Sequence, residues 1–137
     1  VVNMSALLAY DGRPTSEKAL EFAIEYSIRF EDPLYILTVV REEQMDPEAP
    51  DDSVAEYMQA AQRKAASSGA TVHTIIETGK ADETVIDVAD RYDCDTIIVG
   101  RSNRSSLDRF LLGSVSGHVV KHAKCTVILV SEDCDKC

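Results

Sequence analysis

Apolar runs and helix-spaced stripes alternate from one end of this chain to the other. Met4 to Tyr10 is an apolar run closed by the turn pair Asp11-Gly12. Helical spacing follows, with Ala19, Leu20, Ala23, Ile24 and Ser27 sharing one face. Leu34 to Val40 is a second apolar run, and Arg41 to Asp52 is an acidic, proline-bearing loop. Ser53-x-x-Glu56 reads as a capping box opening a second helix, whose stripe is Val54, Met58, Ala61 and Ala65. Thr71 to Ile76 is the third strand, and Val85, Ile86 and Ala89 mark the third helix. Thr96 to Val99 is the fourth strand. Val115, Val119, Val120 and Ala123 mark the last helix, and Thr126 to Val130 the fifth strand.

This alternation predicts right-handed crossovers and a parallel sheet covered by helices on both faces. Strands 1, 2, 4 and 5 are continuously apolar, as strands buried on both faces should be. Strand 3 carries His73 and Thr74, which suits a sheet edge. Of the two common five-stranded doubly wound orders, 3-2-1-4-5 and 2-1-3-4-5, that polarity selects the first. Chain direction then reverses between strands 1 and 4, where ligands of such folds lie. Asp11 ends strand 1 and Gly100 ends strand 4, so both face that point. Strand 5 becomes an apolar edge, an aggregation hazard unless it pairs with a second copy of the chain.

Composition narrows the reading. With 137 residues the chain suits a single domain, 1–137. No apolar run approaches the roughly 20 residues that span a bilayer, and the first ten residues do not resemble a signal peptide. These features predict a soluble, cytoplasmic protein. The formal net charge of −10 disfavours nucleic acid and anionic membranes as partners. The four cysteines, Cys94, Cys125, Cys134 and Cys137, are too scattered for a disulfide framework. Cys134 and Cys137 have C-x-x-C spacing, but no helix follows to activate a thiol. His118 and His122 share a helix face, yet with these cysteines they complete no zinc-ligand pattern, so no metal site is expected.

The most informative chemistry lies between Val99 and Ser116. A buried strand runs into Gly100 and then a basic, serine-rich loop that ends at Gly113-Ser114, where a helix begins. Free backbone N–H groups and a helix dipole make such a loop a place for phosphate. Arg101, Arg104 and the hydroxyls of Ser105, Ser114 and Ser116 add donors. Asp11 could simply cap the first helix or stabilise the turn, but its place at the switch point favours ligand contact, and Asp108 is either a surface charge or a Mg²⁺ contact.

Gly100-x-x-Asn103, nine residues and then Gly113-Ser114 resembles the G-x2-G-x9-G-[S/T] motif of universal stress proteins. Asp11-Gly12-x-x-x-Ser16, Leu37-Thr-Val-Val40 and His122-Ala-x-Cys125-x-Val127 resemble further segments of that family, so the likeness spans essentially the whole chain. It implies a Rossmann-like, adenine nucleotide alpha hydrolase-like sandwich, a homodimer through the strand Thr126–Val130, and bound ATP with Mg²⁺ on its phosphates. In that resemblance Asp11 would hold the ribose, Val39 would touch the adenine with its backbone, and the backbones of Ala9 and Tyr10 would line the base pocket. Gly100 and Asn103 would hold the phosphates from one side, and Gly113, Ser114, Val115 and Ser116 from the helix side. Asn103 stands where the family has glycine. Asparagine tolerates a left-handed backbone and can itself donate to phosphate.

No catalytic residue is assigned, because no carboxylate or histidine near the loop is placed as a base for the γ-phosphate. The resemblance implies at most slow hydrolysis, or autophosphorylation at Ser114 or Ser116. The expected function is therefore a dimeric, ATP-binding stress-response module. The alternative is a nucleotide-independent scaffold dimer whose loop is retained as structure.

Overall fold

Ala6, Leu7 and Leu8 are fully buried because the strand they form lies at the centre of the sheet. The computed structural model describes residues 4–41, 52–101 and 113–132. Nine elements alternate along it: β1 (Ala6–Ala9), α1 (Pro14–Phe30), β2 (Leu34–Val40), α2 (Asp52–Ser67), β3 (Val72–Thr78), α3 (Ala81–Arg91), β4 (Thr96–Arg101), α4 (Ser114–His122) and β5 (Thr126–Ser131). All neighbouring strands are parallel, in the order β3-β2-β1-β4-β5. The order expected from the polarity of strand 3 is therefore the one adopted.

Strand side chains alternate between two cores, as the period of two requires. Ala6, Leu8, Leu34, Ile36, Ile98 and Val130 face α1 and α2, meeting Leu20, Ala23, Ile24, Met58 and Ala61. Leu7, Leu37, Ile97 and Val99 face α3 and α4, meeting Val85, Val88 and Val119. Each fully buried Leu, Ile or Val contributes about 1.5–3 kcal/mol through burial. The one polar residue in the middle of β2, Thr38, is satisfied by a 2.7 Å hydrogen bond between its Oγ1 and the Tyr57 hydroxyl of α2.

Local signals explain the helix ends. Pro14 opens α1, where its missing N–H is no loss. Glu31 takes a left-handed conformation just past Phe30, and the buried Ser27 hydroxyl bonds to the Asp32 carbonyl. Pro33 then starts the connection to β2. Several boundaries differ from expectation, with β4 running on to Arg101 and β5 to Ser131. β1 is shorter than Met4–Tyr10, because the chain turns away after Ala9. β3 runs on to Thr78, still paired with Val40. α2 begins at Asp52, so Ser53 sits inside the first turn rather than at its cap. β5 is also less buried than its sequence suggests: only Val130 is buried, and Leu129 is 37% exposed. Among the described residues no helix is long and apolar enough to cross a membrane.

Candidate functional site

A cleft opens beyond the carboxyl ends of β1, β2 and β4, on the face covered by α3 and α4. Ala9, Tyr10 and Asp11 form its floor, with Leu37 and Val39 on one side and Val99 and Gly100 on the other. Thr15 and Ser16 at the start of α1, Ala81 and Val85 of α3, and Val115 and Ser116 of α4 close it. Its volume is about 160 Å³. An apolar cavity of ~150 Å³ accepts a benzene ring, so this one suits a flat ring with the rest of a larger ligand outside.

The backbone of Val39 is available there for a geometric reason. The Tyr10 N–H bonds the Leu37 carbonyl and the Gly79 N–H bonds the Val40 carbonyl. Odd-numbered residues at this end of β2 therefore direct their peptide groups toward β1, and even-numbered ones toward β3. β1 ends opposite Leu37. The N–H and C=O of Val39, two residues on, thus face the cleft beyond the last rung of the β1–β2 ladder. A donor and an acceptor side by side can read the edge of a nitrogen heterocycle.

Asp11 lies in the turn after β1 and serves the fold with one oxygen. Its Oδ1 accepts from the Arg13 backbone N–H at 2.9 Å and from the Ser16 hydroxyl at 2.8 Å. Its Oδ2 is 3.8 Å from Arg13 Nε in an exposed ion pair. The two readings of Asp11 are compatible: Oδ1 fixes the turn, and the half-exposed side chain lines the cleft. Tyr10 reaches the cleft through its backbone, since its ring packs on the opposite core, edge-on to Tyr57 at 5.7 Å. Its hydroxyl donates to Glu17, and burial together with that carboxylate holds the phenol well above its usual pKa.

Gly100 is required by packing. A Cβ there would lie 2.6 Å from the Thr15 carbonyl oxygen, so β4 reaches the start of α1 only with hydrogen at this position. Gly113 precedes α4 as its cap residue, with extended backbone and no side-chain cap. The first N–H groups of α4 are thus free of a local side-chain acceptor. Ser116 is buried and its hydroxyl turns back to the Gly113 carbonyl at 3.3 Å, whereas Ser114 is exposed.

Seven of the ten expected site residues line this one cleft: Ala9, Tyr10, Asp11, Val39, Gly100, Val115 and Ser116. Ser114 lines a second cavity that adjoins it, and Gly113 caps the helix between them. Asn103 lies outside the described residues, as do Arg104, Ser105, Asp108, Cys134, Cys137 and most of the Arg41–Asp52 loop. Sequence reasoning missed Leu37, Val99, Thr15, Ser16, Ala81 and Val85 as lining residues. The first two follow from the strand register, while the others depend on how the helices pack. The His118 and His122 rings lie 4.4 Å apart, with His118 Nδ1 3.9 Å from Asp82 Oδ2. Among the described residues no group of three or more such ligands is placed to hold a metal.

Comparison with known proteins gives this arrangement a family. The family model described as the universal stress protein family matches residues 4–131. The chain belongs to the universal stress protein family. A universal stress protein of Methanocaldococcus jannaschii is 26% identical over 133 residues, covering 89% of this chain and 78% of that relative. Among solved structures, a universal stress protein in complex with cAMP superposes with a TM-score of 0.77 at 20% identity, covering 97% of this chain and 100% of the other. One from Archaeoglobus fulgidus in complex with dAMP gives 0.73 at 21% identity, covering 95% and 99%. At these identities the structures establish the fold, and this chain shares the Rossmann-like sandwich of the family.

Proposed function

We propose that this universal stress protein is an adenine-nucleotide-binding regulatory module rather than an efficient enzyme. The observation that carries the reading is the Val39 backbone, left facing a ring-sized apolar cleft where β1 stops, with Asp11 at the mouth. Val39 would read the adenine edge, Leu37, Val99, Val85 and Val115 would cover its faces, and Asp11 Oδ2 would accept from a ribose hydroxyl. The N–H groups of Ser114, Val115 and Ser116 at the uncapped start of α4 suit phosphate oxygens. ATP with Mg²⁺ is the ligand proposed, the ion arriving on the phosphates.

The nucleotide complexes of the related proteins support the class of ligand. In this reading two copies pair through the edge strand Thr126–Val130, and nucleotide state changes what the dimer contacts in a cytoplasmic stress response. Exposed Ser114 is the better placed of the two serines for slow autophosphorylation.

Denaturing the purified protein and identifying released small molecules by mass spectrometry tests the reading, together with melting in millimolar ATP–Mg²⁺. Saturation at 100 times Kd adds about 2.7 kcal/mol of stability by linkage. If no adenine nucleotide is released and the melting temperature does not move, the nucleotide-independent scaffold dimer replaces this proposal.

A further inference from the structure

A second cavity, of about 480 Å³, adjoins the cleft and shares Ala81 and Val115 with it. Its distinguishing side chains are Arg41, just past the end of β2, and Lys80, just before α3, with Ser114 facing them from the start of α4. Both cations are exposed and neither forms an ion pair among the described residues. Two cations thus converge on one cavity of a chain whose net charge is −10. One carboxylate is also present, that of Asp82. Its Oδ1 accepts from the Glu83 backbone N–H at 2.8 Å and its Oδ2 lies 3.9 Å from His118 Nδ1, so it is directed toward its own helix and toward α4. The cavity is thus more polar than the cleft, and its described lining carries two cations against one carboxylate, next to a compartment that is mostly apolar and ring-sized.

We propose that this cavity is an anion subsite, in which Arg41 and Lys80 hold a phosphoryl group of the nucleotide whose base occupies the neighbouring cleft. The inference rests on the nucleotide reading of that cleft and adds what it lacks, a means of distinguishing ligands by phosphate content. A nucleoside monophosphate would place its base in the cleft and leave the subsite empty. A ligand with a further phosphoryl group would engage both. That group has two chemical sources: the end of a 5′-polyphosphate chain, or a phosphate at a second position of the nucleoside.

Isothermal titration with AMP, ATP and adenosine 3′,5′-bisphosphate, for the wild type and for Arg41→Gln and Lys80→Gln, tests this directly. Both substitutions are at exposed positions, and circular dichroism verifies the fold. The expected result is that ATP or the bisphosphate binds more tightly than AMP, and that each substitution reduces this advantage by about fivefold, the scale of an exposed charge pair, without changing AMP. The ligand that loses its advantage identifies the source of the phosphoryl group. The advantage should also shrink with salt in the wild type alone. An advantage that survives both substitutions overturns the proposal, as does an equal loss for AMP.

If no nucleotide binds the wild type, the reading of the cleft fails separately, and inorganic pyrophosphate decides the subsite. A thermal shift present in the wild type and absent in Lys80→Gln retains it, and no shift in the wild type overturns it.

Discussion

Gly100 and Thr15 approach so closely that a Cβ on the glycine would lie 2.6 Å from the threonine carbonyl oxygen. The contact joins β4 to the first turn of α1, and both segments line the cleft. Backbone cannot rotate away as a flexible side chain could, so Gly100→Ala must separate strand and helix. Overpacking of this kind costs about 1–3 kcal/mol, and the expected result is a lower denaturation midpoint together with weaker nucleotide binding. Gly113→Ala is the control: its Cβ would meet nothing closer than Ser116 Oγ at 3.6 Å. It should cost under about 1 kcal/mol, the loss of a tolerated cap residue. Equal destabilisation by the two substitutions would contradict this account of Gly100.

In the proposed function Asp11 divides its two oxygens between fold and ligand, and two substitutions separate them. Asp11→Asn can keep an acceptor for the Arg13 N–H and the Ser16 hydroxyl while removing the charge. Asp11→Ala removes both. Nucleotide affinity should fall about tenfold in each, as expected for loss of a charge-assisted hydrogen bond. Thermal stability should fall clearly only in Asp11→Ala. Unchanged affinity in both variants would restrict Asp11 to its turn.

Much of this architecture is legible in the sequence because period and polarity carry it. His73 and Thr74 mark β3 as an edge strand, which with the alternation of elements leads to the observed order. Asp11 and Gly100 fall at strand ends, so their convergence follows from topology, whereas Val39 enters through the family resemblance. Leu37 and Val99 do not stand out, because a cleft-lining apolar residue and a core residue look alike in sequence. The role of Gly100 is a further lesson. A phosphate loop and a close approach to Thr15 both demand glycine, and only coordinates reveal the second. Arg41 and Lys80 lie in connections, whose side chains no periodicity can aim.

The pair formed by Thr38 and Tyr57 is the polar link between β2 and α2. Tyr57→Phe keeps the ring that packs edge-on to Tyr10 and removes the partner of a hydroxyl that is 2% exposed. The expected cost is about 1–3 kcal/mol, since the buried Thr38 hydroxyl is then left unsatisfied. Thr38→Val in the same background should recover part of it, and a double-mutant cycle in urea measures the coupling.

Alkaline stability should be limited by groups whose neutral forms the fold protects. Burial raises the Cys94 and Cys125 thiols above their ordinary value of 9.0, and burial with Glu17 raises the Tyr10 phenol above 10.0. In each case the unfolded chain loses its proton first. Above those ordinary values the folded state holds more protons, so stability falls as pH rises. Below about pH 8 these groups contribute no pH dependence. Urea midpoints should thus fall from about pH 9 upward. The fall should be shallower in Cys94→Ala from its onset, and shallower in Tyr10→Phe only above about pH 10. Parallel slopes in wild type and variants would assign alkaline unfolding to other groups.

The edge strand β5 gives the last prediction. Leu129 is exposed on a strand whose outer side has no strand partner among the described residues. Pairing with a second copy would satisfy that edge and cover the leucine, whereas an inserted charge opposes strand addition. Leu129→Lys should therefore convert the proposed dimer to a monomer in sedimentation velocity at micromolar concentration. Because the side chain is already partly in water in the isolated chain, the folded monomer should lose no more than about 1 kcal/mol. Nucleotide affinity should persist in that monomer, since β5 contributes no described residue to the lining of the cleft. A wild type that already sediments as a monomer removes the dimer from the proposed function. A Leu129→Lys monomer that no longer binds nucleotide would mean that the partner completes the site.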